Sequence, residues 1–258
     1  MKKALDRQKF QETGDKTADL LRLRSLLAPF ISIGRLGSGI THNLSGYLTG
    51  LMGHLELMRI KYPQIAQDVD IVMNQAKRIR DNVNDLSTKF DNETIREAQP
   101  QNLNQILRFE LNFLKADLFF KHNVEVALEL QEPLPNVYGI YADFALAFEE
   151  VLLNAIDAQR SQKQGFIRVK SHSGPEQVTV EIEDGGPGFS PEALEWAFEP
   201  LWPEIKVVDD ILVRGGLGLY CSRLWLEPWG GKLTLENRAE GGGRVRIELP
   251  RRRQVRIT

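Results

Sequence analysis

From Ile33 the apolar residues fall at Ile33, Leu36, Ile40, Leu44, Tyr47, Leu51, Leu55 and Met58, a run of three- and four-residue steps that predicts one stripe along a long helix. Tyr62-Pro63 ends it. A second stripe runs through Ile65, Val69, Val72, Ala76, Ile79, Val83, Leu86 and Phe90 in strictly alternating steps of four and three, a heptad pattern that asks for helical partners. The pair predicts an antiparallel hairpin. A hairpin cannot bury both stripes by itself, and the simplest closed solution is a four-helix bundle made by two chains about a two-fold axis. A homodimer is therefore expected.

The polar stretch Ala98-Gln99-Pro100-Gln101-Asn102 interrupts the heptads and marks a domain boundary, giving a hairpin domain over 33–97 and a second domain over 98–258. In the second, the patterning predicts helices over Leu103–Phe120, Tyr141–Gln159, Glu192–Phe198 and Leu217–Leu226, with strands over Val124–Leu130, Ile167–Ser171, Val178–Glu183, Lys232–Glu236 and Arg244–Leu249. The fold class is α+β: a helical hairpin followed by an α/β sandwich with its helices on one face of the sheet. Residues 1–32 are helical in character, but Leu20, Leu21, Leu23, Leu26 and Leu27 cover too broad an arc to assign. A connecting helix from an upstream sensor and a plain amphipathic N-terminus both fit.

Composition narrows the function classes. Of 258 residues, 42% are apolar and 26% charged, and 33 Lys+Arg against 35 Asp+Glu give a net charge of −2. No overall field would draw the chain to nucleic acid or to an anionic membrane surface. The single cysteine, Cys221, excludes an internal disulfide and the usual multi-cysteine zinc sites, and reads as a small apolar residue in the last helix. No run of about 18 apolar residues occurs, and Met1-Lys2-Lys3 is followed by polar sequence. A cytoplasmic protein without direct membrane insertion is expected.

On the first helix His42 falls roughly 200° around from Ile40, away from the stripe. Ser38, Gly39, Ser45, Gly46, Thr49, Gly50 and Gly53 share that outer face, although each glycine costs a helix interior about 1 kcal/mol. An imidazole that two proteins must reach in turn needs such clearance. Geometry alone leaves His42 an idle or a functional histidine, while His54 is expected on the core side. Further on, Glu150, Asn154 and Asp157 lie at i, i+4 and i+7 on one face of an apolar helix. An amide oxygen and carboxylates suit Mg²⁺ with its retained waters and phosphates, and a solvated polar stripe is the other reading. Asp184-Gly185-Gly186-Pro187-Gly188 follows a strand, where glycines permit positive φ and a buried carboxylate accepts a hydrogen bond from a base amine. Gly215-Gly216-Leu217-Gly218-Leu219 opens a helix whose exposed N–H groups suit phosphate.

Together, in this order, these segments resemble the histidine kinases of two-component signalling and the ATPase fold shared with the gyrase B and MutL families. Gly37 to Leu57, with Thr41-His42-Asn43-Leu44, is similar to the phosphoacceptor box, Glu150 to Ala158 to the asparagine box, and Asp184 to Gly188 to the first glycine box. Phe198-Glu199-Pro200-Leu201-Trp202 resembles the phenylalanine box and Gly216-Leu217-Gly218-Leu219 the second glycine box. The resemblance implies an ATP-binding kinase that phosphorylates His42 and passes the group to an aspartate on a response regulator receiver domain. It implies that Asn154 binds Mg²⁺, that Asp184 takes the adenine amine, and that Asp157, Gly186, Gly188, Gly216, Leu217 and Gly218 belong to the nucleotide site. A lid over Ile205 to Arg214 follows, where Lys206 is either a phosphate contact or a solvent-exposed lysine.

The chain departs from that pattern. Asn43 stands where Glu or Asp is usual, Tyr47 where Pro is common, Glu150 where Asn is frequent, Arg214 where a further glycine is common, and Trp202-Pro203-Glu204 replaces Phe-Thr-Thr. Asn43 keeps open a non-catalytic ATP-binding dimeric scaffold, and Glu150, like the carboxylate that activates water in gyrase, keeps open an ATPase switch.

Overall fold

The computed structural model describes residues 36–199 and 217–251, with the backbone of 207–208 and 211–212 between them. The expected N-terminal segment 1–32 and Ile33 lie outside the described residues. Contacts divide the chain into one unit up to Asp91 and another from Asn92, so the division falls in the last turn of a helix and earlier than the polar stretch after Glu97.

The first unit is a hairpin of α1 (residues 36–61) and α2 (Ala66–Thr94), joined through a 3-10 turn at Pro63–Ile65. Pro63 opens that turn because its missing N–H is not needed there. Leu55 packs against Val69, Met73 and Ala76, with Met52 and Ile65 beside them, while Gly37 at the start of α1 faces the ring of Phe90 near the end of α2. The helices are therefore antiparallel.

The stripe expected in the core of α1 does not face α2. Gly37, Thr41, Leu48 and Leu55 are buried, whereas Leu36, Ile40, Leu44, Leu51 and Met58 are exposed and Tyr47 is 75% exposed. The heptads of α2 divide in the same way: Val69, Ala76 and Val83 are buried, Val72 and Ile79 exposed. The reason is geometric. Two helices meet along one narrow seam, and an apolar arc broader than about 100° cannot be covered by a single neighbour.

The second unit carries a five-stranded sheet in the order β2-β4-β5-β9-β8, from β2 (Val124–Leu130), β4 (Gly165–Ser173), β5 (Gln177–Asp184), β8 (Lys232–Asn237) and β9 (Gly243–Pro250). Only the β2–β4 pairing is parallel. The strand assignments agree with the alternation to within about two residues at each end. A short antiparallel pair, β1 (Gln99–Gln101) with β3 (Val137–Gly139), was not expected, because three residues are too few to show a period. The helix expected over Leu103–Phe120 is broken: α3 (Leu103–Phe113) ends in a 3-10 turn, and Asp117 starts α4 (Leu118–Asn123) by accepting from Phe120 N at 2.9 Å. The long helix is α5 (Tyr141–Asp157), and α6 (Pro191–Trp196) and α7 (Gly218–Leu226) follow, with the short pair β6 (Val207–Val208) and β7 (Ile211–Leu212) between them.

Alternation gives the sheet two unlike faces. Ile167, Val169, Val178, Val180, Ile182, Val245, Ile247 and Leu249 point inward to a core that includes Phe144, Phe148, Leu152 and Ile156 of α5, four-residue steps that put them on one helix face. The outer face is charged in register. Arg168 lies opposite Glu183, which lies opposite Arg244, which lies opposite Glu236, and a second row runs Glu129, Lys170, Glu181, Arg246. Glu183 is 1% exposed and receives Arg244 Nη2 at 2.8 Å, Arg168 Nη1 at 3.2 Å and Lys170 Nζ at 3.3 Å. Burial pushes its carboxyl up, but these cations outweigh burial and hold it below the ordinary value.

Candidate functional site

Strand β5 ends on Asp184, in the same inward register as Val180 and Ile182, so its carboxylate enters the layer between sheet and helices. It is 5% exposed. Oδ1 accepts from Gly186 N at 2.8 Å and Gly243 N at 3.3 Å, and Oδ2 accepts no hydrogen bond among the described residues. One oxygen is thus held and the other is left for a ligand. Asp184 lines a small pocket with Asn154, Ala158, Gly188, Phe189 and Leu219. Gly188 turns the chain there with φ +80, which only glycine adopts without strain.

Side chains that the sequence did not single out hold this turn. Gln159 is fully buried; its Nε2 donates to Ala155 O at 2.8 Å, while its Oε1 accepts from Phe166 N at 2.8 Å and Gly185 N at 3.3 Å. Gln162 Nε2 donates to Gly185 O at 3.0 Å. Asn237 clasps Phe189 by both backbone groups, accepting from N at 2.7 Å and donating to O at 2.9 Å. The one sequence signal was a polar residue, Gln159, at the apolar end of the helix.

Near the pocket, α7 begins at Gly218 with no side-chain cap from Leu217, and the first N–H groups of a helix have no partner within the helix itself. A methyl group on Gly218 would lie 2.6 Å from Glu150 Oε2 and 3.5 Å from Asn154 Nδ2. The absence of a side chain is what lets the start of α7 sit against both. Gly218 thus sits beside Glu150 and Asn154 of α5, Asn154 shares the pocket with Asp184 and Gly188, and Gly186 lies against Ala158.

Asp157 is placed differently. Its Oδ1 accepts from Arg160 Nε at 2.7 Å, and Arg160 Nη2 reaches Asp117 Oδ2 at 2.6 Å. The carboxylate expected beside the nucleotide is tied into an ion-pair bridge between α5 and α4. Burial raises the Asp117 carboxyl, but its bonds to Arg160 and to the N–H of Phe120 bring it below the ordinary value. Lys206 and Gly216 lie outside the described residues, as do Pro200 to Trp202.

Among the described residues no three His, Cys, Asp or Glu side chains converge on a metal position. The donors at hand are the Asn154 amide and the Glu150 carboxylate. Such a set fits an ion that keeps waters and takes phosphate oxygens, as Mg²⁺ does, and does not fit an all-protein cage. Cys221, partly buried, has its thiol pKa raised by burial and by the charge of Glu150, which disfavours the reactive thiolate.

In the hairpin unit His42 and Asn43 are both exposed. Gly39, Gly46, Gly50 and Gly53 open onto empty space, so the face around His42 is as bare as its composition suggests. His54, expected toward the core, is exposed, with Nδ1 3.1 Å from Gly50 O. It lies on the flank that α2 does not reach.

Residues 139–253 match the family of histidine kinase-, DNA gyrase B- and HSP90-like ATPases. The chain is 30% identical over 224 residues to the sensor histidine kinase GtrS of Pseudomonas aeruginosa, covering 84% of this chain and 42% of GtrS. It is 24% identical over 225 residues to sporulation kinase E of Bacillus subtilis, covering 86% of this chain and 29% of that protein. The chain thus spans less than half the length of either relative. Among solved structures, the catalytic domain of the histidine kinase ThkA superposes with a TM-score of 0.51 at 26% identity, covering 60% of this chain and 96% of that one. ThkA in complex with the response regulator TrrA shares the fold at 21% identity with a TM-score of 0.50, covering 92% of this chain and 67% of that one.

Proposed function

Because the chain belongs to the two-component sensor histidine kinase family, we propose that it is an ATP-dependent protein histidine kinase acting as a homodimer. In the first step an imidazole nitrogen of His42 attacks the γ-phosphorus of ATP; the bond to the β–γ bridging oxygen breaks, ADP leaves, and the imidazole proton passes to solvent. In the second step the phosphoryl group moves from His42 to an aspartate carboxylate of a response regulator receiver domain, and the imidazole is restored. The observation that carries the reading is Asp184, a carboxylate with one oxygen fixed by Gly186 N and Gly243 N and the other unengaged among the described residues, at the wall of a pocket shared with Asn154. That geometry supports acceptance of the adenine amine.

The helix start at Gly218 and the glycine turn support positioning of the phosphates, and positioning with charge neutralisation supplies most of the catalysis in phosphoryl transfer. Mg²⁺, held by Asn154, would neutralise phosphate charge. The exposed apolar faces of α1 and α2 support the dimer, since Leu36, Ile40, Leu44, Tyr47 and Leu51 remain uncovered within one chain. No helix among the described residues is long and apolar enough to cross a membrane.

Incubation with γ-labelled ATP and Mg²⁺ tests the reading. Label on the protein that survives alkali and is lost in acid, and that disappears in His42→Gln while nucleotide binding persists, supports the kinase. A second reading rests on Glu150, whose carboxylate lies beside Gly218 and Asn154: an ATPase switch in which Glu150 orients water. Free phosphate without labelled protein favours that switch, and ATP binding with neither product favours a scaffold.

A further inference from the structure

The residue after β8, Arg238, belongs to none of the segments assigned so far, yet it touches the site from the opposite face of the sheet. Its side chain is 7% exposed, its guanidinium lies 4.9 Å from the centroid of the Phe166 ring, and Nη1 donates to Asp184 O at 3.1 Å. Nε stands 3.6 Å from Glu183 Oε2. This contact and a 3.7 Å pair from Nη2 to the exposed Glu240 Oε2 are both long, and they do not account for so deep a cation. Glu183 already has Arg168, Lys170 and Arg244, and burying another guanidinium costs free energy unless its contacts return something.

What the contacts return is the placement of one residue. We propose that Arg238 is a positioning residue for nucleotide recognition, fixing the Asp184 peptide so that its carboxylate is presented to the exocyclic amine of the base. Asp184 ends a strand and is followed by two glycines, the backbone sequence with the most freedom to lose. A charged donor on its carbonyl removes that freedom. The same turn fixes the carboxylate, since Arg238 N donates to Gly242 O at 3.0 Å and Gly243 N reaches Asp184 Oδ1 at 3.3 Å. Main chain and side chain of Asp184 are thus clamped by residues six positions or fewer apart in the β8–β9 connection. Phe166, the platform under the guanidinium, is itself bound through N–H to Gln159.

The inference rests on the reading of Asp184 as the acceptor for adenine, and the experiment separates the two. Affinities of the full chain for ATP and for purine riboside triphosphate, which lacks the amine, are measured for wild type, Asp184→Asn, Arg238→Met and Arg238→Lys, with a thermal melt of each. A loss of general stability would weaken both nucleotides alike; a loss of aim at Asp184 weakens only the one with an amine. Arg238→Met is expected to bind ATP about tenfold more weakly and the amine-free analogue within about twofold of wild type, as one charge-assisted hydrogen bond predicts. Arg238→Lys keeps a charge opposite Glu183, and so the fold, but its single ammonium engaged there leaves the Asp184 carbonyl without its donor; a preference reduced about threefold is expected. If Asp184→Asn itself keeps the wild-type preference for ATP, the adenine reading falls and this inference with it. If Asp184→Asn abolishes the preference while Arg238→Lys and any folded Arg238→Met retain it, Arg238 is structural only and the inference is overturned.

Discussion

Thr41 and His42 are adjacent on α1 and turn opposite ways: Thr41 is fully buried, its Oγ1 donating to Ser38 O at 3.0 Å, and His42 is exposed. One fixes the rotation of the helix, so the other is held in the open. Asn43, exposed beside it, can orient an imidazole but cannot take its proton, whereas a carboxylate there would add a general base worth about 10²–10⁴-fold. Asn43→Asp and Asn43→Glu are therefore expected to label at His42 at least about tenfold faster than wild type. Single-turnover labelling at saturating ATP measures this, with circular dichroism as the control for the hairpin. Equal rates would remove Asn43 as the limiting feature.

The uncovered stripe predicts what holds two chains together. Leu51, 47% exposed and in the middle of the stripe, is expected to become buried in the dimer, where a carboxylate could not be paired. Leu51→Glu should give a monomer by sedimentation while the ATP-binding unit keeps its nucleotide affinity, because the residue belongs to the other unit. A dimer of unchanged strength would mean that the chains associate elsewhere.

Glu183 predicts an acid limb to stability. Its folded pKa is depressed, so it contributes stability that is fully present above the unfolded carboxylate value of about 4.3 and is lost as pH falls through the folded value. Glu183→Gln leaves four cations, Arg168, Lys170, Arg238 and Arg244, facing a neutral group. A loss of about 2 kcal/mol at pH 7 is expected, below the range for fully enclosed pairs because most of the cations are partly wet. The gap from wild type should narrow as pH drops below about 4. Urea titrations at several pH values decide it, and a gap independent of pH would refute the assignment.

Asp157 offers a contrast. Tied to Arg160 and not part of the pocket lining, it is expected to be dispensable for nucleotide. Asp157→Ala should cost at most about 1 kcal/mol of stability, as exposed ion pairs do, and should leave ATP affinity within about twofold. A tenfold loss would place Asp157 in the nucleotide site.

The sequence made legible what is periodic or local. The stripes predicted the hairpin, strict alternation predicted the strands of the sheet, and the glycine turn after β5 pointed to Asp184 and Gly188, which line one pocket. It did not separate the seam that one chain buries from the face it leaves open, because both are apolar and the difference lies in how many helices are present. The ion pair of Asp157 with Arg160, three residues on, was not read from the sequence, because i,i+3 charge pairs on an exposed helix end are too common to single out. Asn237 and Arg238 were invisible for a further reason: each acts through backbone groups of a distant segment, and no spacing within the sequence records a contact between segments that are not consecutive.

The charged outer face of the sheet has a bearing on how the strands find their places. Over the middle of the sheet the outward charges of each central strand share a sign: Arg168 and Lys170 on β4 are positive, Glu181 and Glu183 on β5 negative, Arg244 and Arg246 on β9 positive, with Glu248 farther along β9 opposite the neutral Thr179. A sheet assembled with β4 beside β9 would bury the same apolar residues but set cation against cation, a penalty of several tenths of a kcal/mol at each opposed pair. With β5 between them the signs alternate. Apolar alternation tells each strand which side faces in; the charges tell it which neighbour to accept, and so discriminate among sheets that hydrophobic burial alone would leave equivalent.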